Sequence, residues 1–176
     1  MGTSTQLLTF AEFERVPDPR EGKYELRHGE LALVAPAKHL HYKLQIRLTR
    51  LLQDTAGSSW VAGTEMPFRP TAEYEYWFAD VGLIAAARFE QTSAQGNIDG
   101  VPEMVIEVLS PSNTVSEMRD RADICLRNGA REFWLVDPER QTVEVTTPDG
   151  HTIRYQSGQD VPLWFGGKLA VAEIFA

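Results

Sequence analysis

Two carboxylates stand where carboxylates are costly. In Met104-Val105-Ile106-Glu107-Val108-Leu109, strand alternation puts Glu107 on one face with Val105 and Leu109, leaving Met104, Ile106 and Val108 on the other. Both faces are apolar, as in a central strand covered on two sides. Asp80 poses the same problem in Tyr76-Trp77-Phe78-Ala79-Asp80-Val81-Gly82-Leu83-Ile84, where alternation gives it a face shared with Phe78 and Ile84. A buried carboxylate must be paired, protonated or bound to a metal. Two such acids side by side on neighbouring strands repel each other unless a cation lies between them. Oxygen ligands in an incomplete shell suit Mg²⁺, which binds one or two carboxylates and keeps waters for a substrate phosphate. The plainer alternative is that each acid pairs with an arginine or caps a backbone group.

Other residues extend this pair. Arg121, on a helix expected from about Val115 to Asn128, lies about 60° from the Met118–Ala122–Cys125 stripe, at the border of the buried face. It can reach the ends of the sheet, or form an ordinary pair with Glu117 one turn earlier. Glu30 opens the second strand of an N-terminal hairpin and shares its face with Ala32 and Val34. Glu25 shares a face with Lys23 and Arg27 and reads as solvated, so Glu30 is the favoured additional acid. His41 starts a leucine-rich helix, where a satisfied, half-buried histidine is the reading its position supports. On that helix Lys43, Arg47 and Arg50 share a side at spacings of four and three, with Lys38 just upstream. Such a stripe can meet a phosphate backbone, although a solvated helix face explains it equally.

These residues need a frame. Thr9-Phe10-Ala11-Glu12 reads as a capping box opening a short helix, stopped by Pro17 and Pro19. Residues 23–28 and 30–35 form a hairpin with Gly29 at the turn. A helix follows over 39–56, with Leu40, Leu44, Leu48, Leu51 and Leu52 on its apolar side and Gly57 as a stop. Strands are expected at 60–68 and 76–86, a polar, mobile connection at 88–100, and an apolar strand at 103–109. The helix over 115–128 ends at Gly129. A second hairpin spans 132–137 and 141–147, followed by a further strand and a short closing helix at 169–175. A mixed central β-sheet flanked by α-helices uses every apolar stripe, so the expected fold is α/β (α+β), one domain over residues 1–176.

Composition narrows the function. Acidic residues outnumber basic ones by 25 to 17, for a net charge of −8, which disfavours nonspecific binding to nucleic acid or anionic membranes. A lone cysteine, Cys125, excludes an intramolecular disulfide framework and any multi-cysteine zinc site, and on a helix stripe it reads as packing. The apolar run Val81–Ala87 falls far short of the ~20 residues of a membrane helix. No signal-peptide core precedes Glu12, so a cytoplasmic protein without membrane contact is expected. The sequence contains no G-x-S-x-G elbow, Walker loop, G-x-G-x-x-G or H-E-x-x-H. His39 and His41 point roughly 200° apart on a helix and do not suit a shared metal.

The arrangement resembles a known family. Tyr24-Glu25-Leu26 followed by Gly29-Glu30-Leu31, His41 opening a leucine-rich helix, and Asp80 in an apolar strand form the first part of the pattern. Val105-Ile106-Glu107-Val108-Leu109-Ser110-Pro111-Ser112 and Asn128-Gly129-Ala130-Arg131-Glu132-Phe133-Trp134-Leu135-Val136-Asp137-Pro138 complete it. Together, over about residues 7–147, they resemble the Uma-two family of putative bacterial restriction endonucleases. The resemblance implies a PD-(D/E)XK nuclease core, in which Asp80, Glu107 and the main-chain carbonyl of Val108 hold Mg²⁺ or Mn²⁺. It implies phosphodiester hydrolysis in DNA by a metal-activated water. Family members also carry acids at Glu25 and Glu30 and a histidine at His41. Ala79 replaces the usual proline, and Leu109 stands where the simple pattern has lysine. The family draws that lysine from the following helix, where this chain has Arg121. An arginine stabilises a phosphorane oxyanion but cannot take a proton from water at neutral pH.

The expected site is therefore Asp80, Glu107, Arg121 and Glu30 for catalysis, Asp80 and Glu107 for the metal, and His41, Lys43 and Arg47 for substrate. A homodimer is expected because cutting two strands is easiest with two sites. The rival is a catalytically inactive nuclease-fold protein acting as a binding or assembly module. The arginine-for-lysine change favours that rival, and the retained acid pair opposes it.

Overall fold

A computed structural model describes residues 7–93 and 96–176. Residues 1–6, and residues 94–95 inside the expected polar connection, lie outside it. The first element, α1 (Phe10–Phe13), is opened by the expected capping box: Thr9 receives the Glu12 N–H, and the Glu12 carboxylate accepts the Thr9 N–H at 2.8 Å. Next, β1 (Lys23–Arg27) and β2 (Glu30–Val34) pair antiparallel around His28-Gly29, both at positive φ. Gly29 is required there twice over, because a Cβ would also come within 2.8 Å of Leu7 Cβ.

The long helix α2 (His39–Ala56) leads into β3 (Trp60–Arg69) and β4 (Trp77–Ala85). The polar connection is partly ordered into α3 (Ala86–Gln91) and β5 (Ile98–Asp99), where coil was expected. Arg88 explains this locally, donating to the main-chain carbonyls of Asp99 and Val101 at 2.9 Å and to the Glu103 carboxylate at 3.1 Å. There follow β6 (Met104–Val108), α4 (Val115–Arg127), β7 (Glu132–Asp137), β8 (Thr142–Thr146) and β9 (Thr152–Gln156). The closing segment comprises β10 (Asp160–Pro162), β11 (Lys168–Ala170) and α5 (Val171–Phe175). The expected final helix thus begins as a strand, with Leu169 paired to Val161.

Seven strands form a mixed sheet in the order β5-β3-β4-β6-β7-β8-β9, with β6–β7 and β3–β5 parallel and the other neighbours antiparallel. One face packs on Leu44, Leu48 and Leu52 of α2, joined by Leu169, Val171 and Ile174 from the C-terminal segment. The other packs on Cys125 and Ala122 of α4, with Phe133 and Ala130. This is the mixed sheet flanked by helices that the apolar stripes required. Cys125 is fully buried, as packing predicts.

Simple alternation fails at one place. On β4, Trp77 and Ala79 lie in the α4-side core, while Val81 and Leu83, of the same parity, lie in the α2-side core. Its neighbour β3 also changes faces: Val61 borders the α4-side core, and so do Met66 and Phe68, of opposite parity. Glu65 sits at the switch with φ +51°, between the pairs Thr64↔Val81 and Met66↔Ala79. A left-handed non-glycine residue inside a strand costs on the order of 1 kcal/mol or more. The β4–β6 ladder stops at Val81↔Ile106, whereas β6–β7 continues to Val108↔Val136. The next β4–β6 pair in register is Asp80 and Glu107. Both acids therefore lie where the two strands part.

Candidate active site at the parting of β4 and β6

On the α4 side, Glu107 meets Arg121. The guanidinium donates through Nη2 to Glu107 Oε1 at 2.8 Å and to the Phe78 carbonyl at 3.0 Å, and through Nη1 to Glu25 Oε2 at 3.0 Å. It lies 4.7 Å from the centre of the Trp77 ring. Arg121 is buried, not poised at a border, because the N-terminal hairpin covers it. Thr114 caps the N-terminus of α4 by accepting the Glu117 N–H. Glu117 pairs with Arg27 of β1 instead of Arg121, and His28 Nε2 lies 2.7 Å from Asp120. These contacts clamp the hairpin to α4. On its other side the hairpin joins Tyr76, the residue before β4, by reciprocal Leu26–Tyr76 backbone hydrogen bonds of 2.9 Å.

The charges on this side are strongly perturbed. Burial pushes the Glu107 carboxyl up to about 8, with the Asp80 and Glu25 carboxylates adding to the effect and Arg121 opposing it. Burial also raises Glu25, but Arg121, Arg27 and the Phe78 N–H at 2.8 Å outweigh it and hold Glu25 below its ordinary value. Arg121 stays charged: burial opposes the cation, and the Glu107 and Glu25 carboxylates more than compensate.

On the α2 side, Asp80 is held by uncharged donors and a histidine. Its Oδ2 accepts the Val108 N–H at 2.8 Å, in place of the ladder bond that β4 no longer supplies. Its Oδ1 accepts from Gln45 Nε2 at 2.8 Å and lies 2.9 Å from His41 Nε2. His41 and Gln45 are one turn apart on α2, on the side that carries Leu48 and Leu52. Gln45 Nε2 also donates to Glu65 Oε1 at 2.6 Å. Lys23 of β1 pairs with the other Glu65 oxygen and lies 4.0 Å above the Phe78 ring.

The structure thus brings together Asp80, Glu107, Arg121 and His41. It leaves Glu30 out: that residue is exposed at the hairpin turn, and Glu25 takes the place beside Arg121. The reading of Glu25 as solvated is corrected for the same reason, since β4 and α4 close over a face that a lone hairpin would leave wet. Lys43 and Arg47 are also elsewhere. They lie roughly 180–240° around α2 from His41, and Lys43 donates to the Ala176 carbonyl at 3.3 Å. Together with Arg50 and Glu173 they line a groove between α2 and α5. Gln45, Glu65 and Lys23 were not expected. Gln45 could have been found as a polar residue one turn from His41 inside a leucine stripe. Glu65 and Lys23 carried no such signal.

The sequence profile of the Uma2 family, described as a putative restriction endonuclease, matches residues 10–164. The chain belongs to this family. A crystal structure of a putative nuclease belonging to DUF820 from Anabaena variabilis superposes with a TM-score of 0.81 at 21% sequence identity, covering 96% of this chain and 97% of that one. No curated protein matches the chain. The Uma2 fold is therefore shared across a wide sequence distance. Among the described residues no helix is long and apolar enough to cross a membrane.

A divalent cation is implied for a nuclease of this kind, and the donor set of this Uma2 chain fits a hard ion. Two carboxylates and the Val108 main-chain carbonyl are oxygen ligands, and Glu107 Oε2 accepts no hydrogen bond among the described residues. Among those residues no three His, Cys, Asp or Glu side chains form a metal cage. Oxygen donors of this kind would suit Mg²⁺ or Mn²⁺ better than zinc.

Proposed function

We propose that this Uma2 protein is a divalent-metal-dependent endonuclease that hydrolyses phosphodiester bonds in DNA. The observation that carries the reading is the placing of Asp80 and Glu107 at the unpaired ends of β4 and β6, Asp80 on the Val108 N–H and Glu107 on a buried arginine. Asp80 and Glu107 would hold the ion, with the Val108 carbonyl. When bound, it would polarise the phosphodiester and acidify a water. His41, Gln45 and the Val108 N–H fix the Asp80 carboxylate in one orientation. Arg121 supplies fixed positive charge, and its buried Nε has no hydrogen-bond partner among the described residues. Closure of the hairpin over α4 keeps water from the arginine and its two acids.

The test is cleavage of supercoiled and single-stranded DNA with Mg²⁺ or Mn²⁺ by wild type, Glu107→Ala and Arg121→Lys. Metal-dependent cutting that falls at least ~100-fold in Glu107→Ala establishes the reading. A second reading, a nuclease-fold binding or assembly module, is favoured by the three hydrogen bonds that engage Arg121 with Glu25, Glu107 and Phe78. Inert wild-type protein that binds no Mn²⁺ would establish that alternative.

A further inference from the structure

The β3–β4 ladder lacks one pair. Thr64 faces Val81 and Met66 faces Ala79, so the residue opposite Asp80 is Glu65. Like charges directly across two strands destabilise a sheet. Glu65 is also left-handed, at φ +51°, a conformation that costs a non-glycine residue stability. A third cost lies between the two acids. Gln45 is fully buried, and its Nε2 donates to Glu65 Oε1 at 2.6 Å and to Asp80 Oδ1 at 2.8 Å. A primary amide nitrogen carries two hydrogens, so this one atom serves both carboxylates. The Gln45 Oε1 is left buried with no hydrogen-bond partner among the described residues. Lys23 pairs with the remaining Glu65 oxygen and holds that carboxylate from the other side. Three separate penalties thus fall on one chain of contacts, Lys23–Glu65–Gln45–Asp80, and strain of this kind persists where a site uses it.

We propose that Glu65 is a positioning residue for Asp80, acting through Gln45, an inference that rests on the metal-dependent reading above. A carboxamide can present either its nitrogen or its oxygen to a neighbour. With an acceptor on each side, Gln45 must present the nitrogen. Its Nε2 then holds Asp80 Oδ1 while the Val108 N–H holds Oδ2. Without Glu65 the amide would be free to turn and set its oxygen against the Asp80 carboxylate. A carboxylate already fixed in one orientation has little freedom left to lose when an ion arrives, which is how outer partners raise metal affinity. The left-handed backbone belongs to the same device, because the Glu65 carboxylate meets α2 from the point where β3 changes faces.

The test measures Mn²⁺ affinity by electron paramagnetic resonance, and the metal-free melting temperature, on the full chain. Wild type is compared with Glu65→Gly, Glu65→Gln, Gln45→Met and the double variant Gln45→Met/Glu65→Gly, with Asp80→Ala as the blank for this site. Glycine accepts the left-handed backbone and removes the carboxylate. Glu65→Gly is therefore expected to weaken Mn²⁺ binding about 10–100-fold without lowering the melting temperature. If that variant does not fold, Glu65→Asn, also at ease in the left-handed region, takes its place. Glu65→Gln keeps an oxygen acceptor for Gln45 and is expected to bind Mn²⁺ as wild type does. The double variant is expected to bind no more weakly than Gln45→Met alone, since both changes act through one amide. Unchanged Mn²⁺ affinity in Glu65→Gly overturns the proposal and makes the left-handed residue a feature of the fold alone. Additive losses in the double variant also overturn it, by showing that Glu65 acts without Gln45. Wild-type protein that binds no Mn²⁺ overturns the metal-dependent reading and the positioning role with it.

Discussion

Asp80 and Glu107 are the two halves of one absent ladder pair, yet the molecule holds them by opposite means. Asp80 faces α2 and takes two neutral N–H donors and a histidine, in a pocket open enough for Lys23 and Glu65 to join it. Glu107 faces α4 and meets a buried guanidinium shared with Glu25, under a hairpin clamped at both edges. The open half can exchange one contact for another at little cost. The closed half cannot lose a member without leaving a charge stranded in the interior. Two acids one pair apart thus differ in what they risk: one its orientation, the other the stability of the fold.

The largest expected effect breaks the closed half. Arg121→Ala strands Glu25 and Glu107 together and should cost about 3–5 kcal/mol in urea unfolding. A loss below about 1 kcal/mol would show that the hairpin is not held by this charge cluster.

The pH dependence sharpens the contrast within that half. Glu107, raised to about 8, favours the metal-free fold below its unfolded value of 4.5, and that contribution disappears as pH climbs towards 8. Glu25 is shifted downward, so its contribution is present above 4.5 and is lost as the solution becomes more acidic. Melting temperatures without metal should therefore fall on both sides, with Glu107→Gln flattening the alkaline limb and Glu25→Gln the acid one. Identical pH profiles for the two variants would sink this assignment.

The smallest effects lie outside the cluster. Glu30→Ala and Lys43→Ala should each change stability by less than about 0.5 kcal/mol, since both side chains are exposed. DNA cleavage should stay within about twofold of wild type. A greater loss in Lys43→Ala would mean that substrate wraps around α2 to the groove beside α5.

Much of this site was legible before any coordinates. Glu107 was visible because an acid between Ile106 and Val108 has no cheap explanation, and Asp80 for the same reason. Arg121 was legible only as a residue at the edge of a stripe, since its burial comes from the hairpin, 96 residues away in sequence at Glu25. The choice of Glu30 over Glu25 failed because alternation ranks faces within a hairpin but does not show which face another element covers. The Lys43–Arg47 stripe is real, and helix geometry alone already turns it away from His41.

The sequence by itself determined the element order, the two helix stripes, the mixed sheet and the presence of two buried acids. Each follows from local periodicity, turn chemistry or the cost of burying charge. Only the tertiary structure decided how these acids are served. The change of faces at Glu65 and Asp80, the early end of the β4–β6 ladder, and the pairing of Lys23 with Glu65 and of Glu25 with Arg121 depend on segments distant in sequence. No local pattern records a contact that exists only once the hairpin has closed on the sheet.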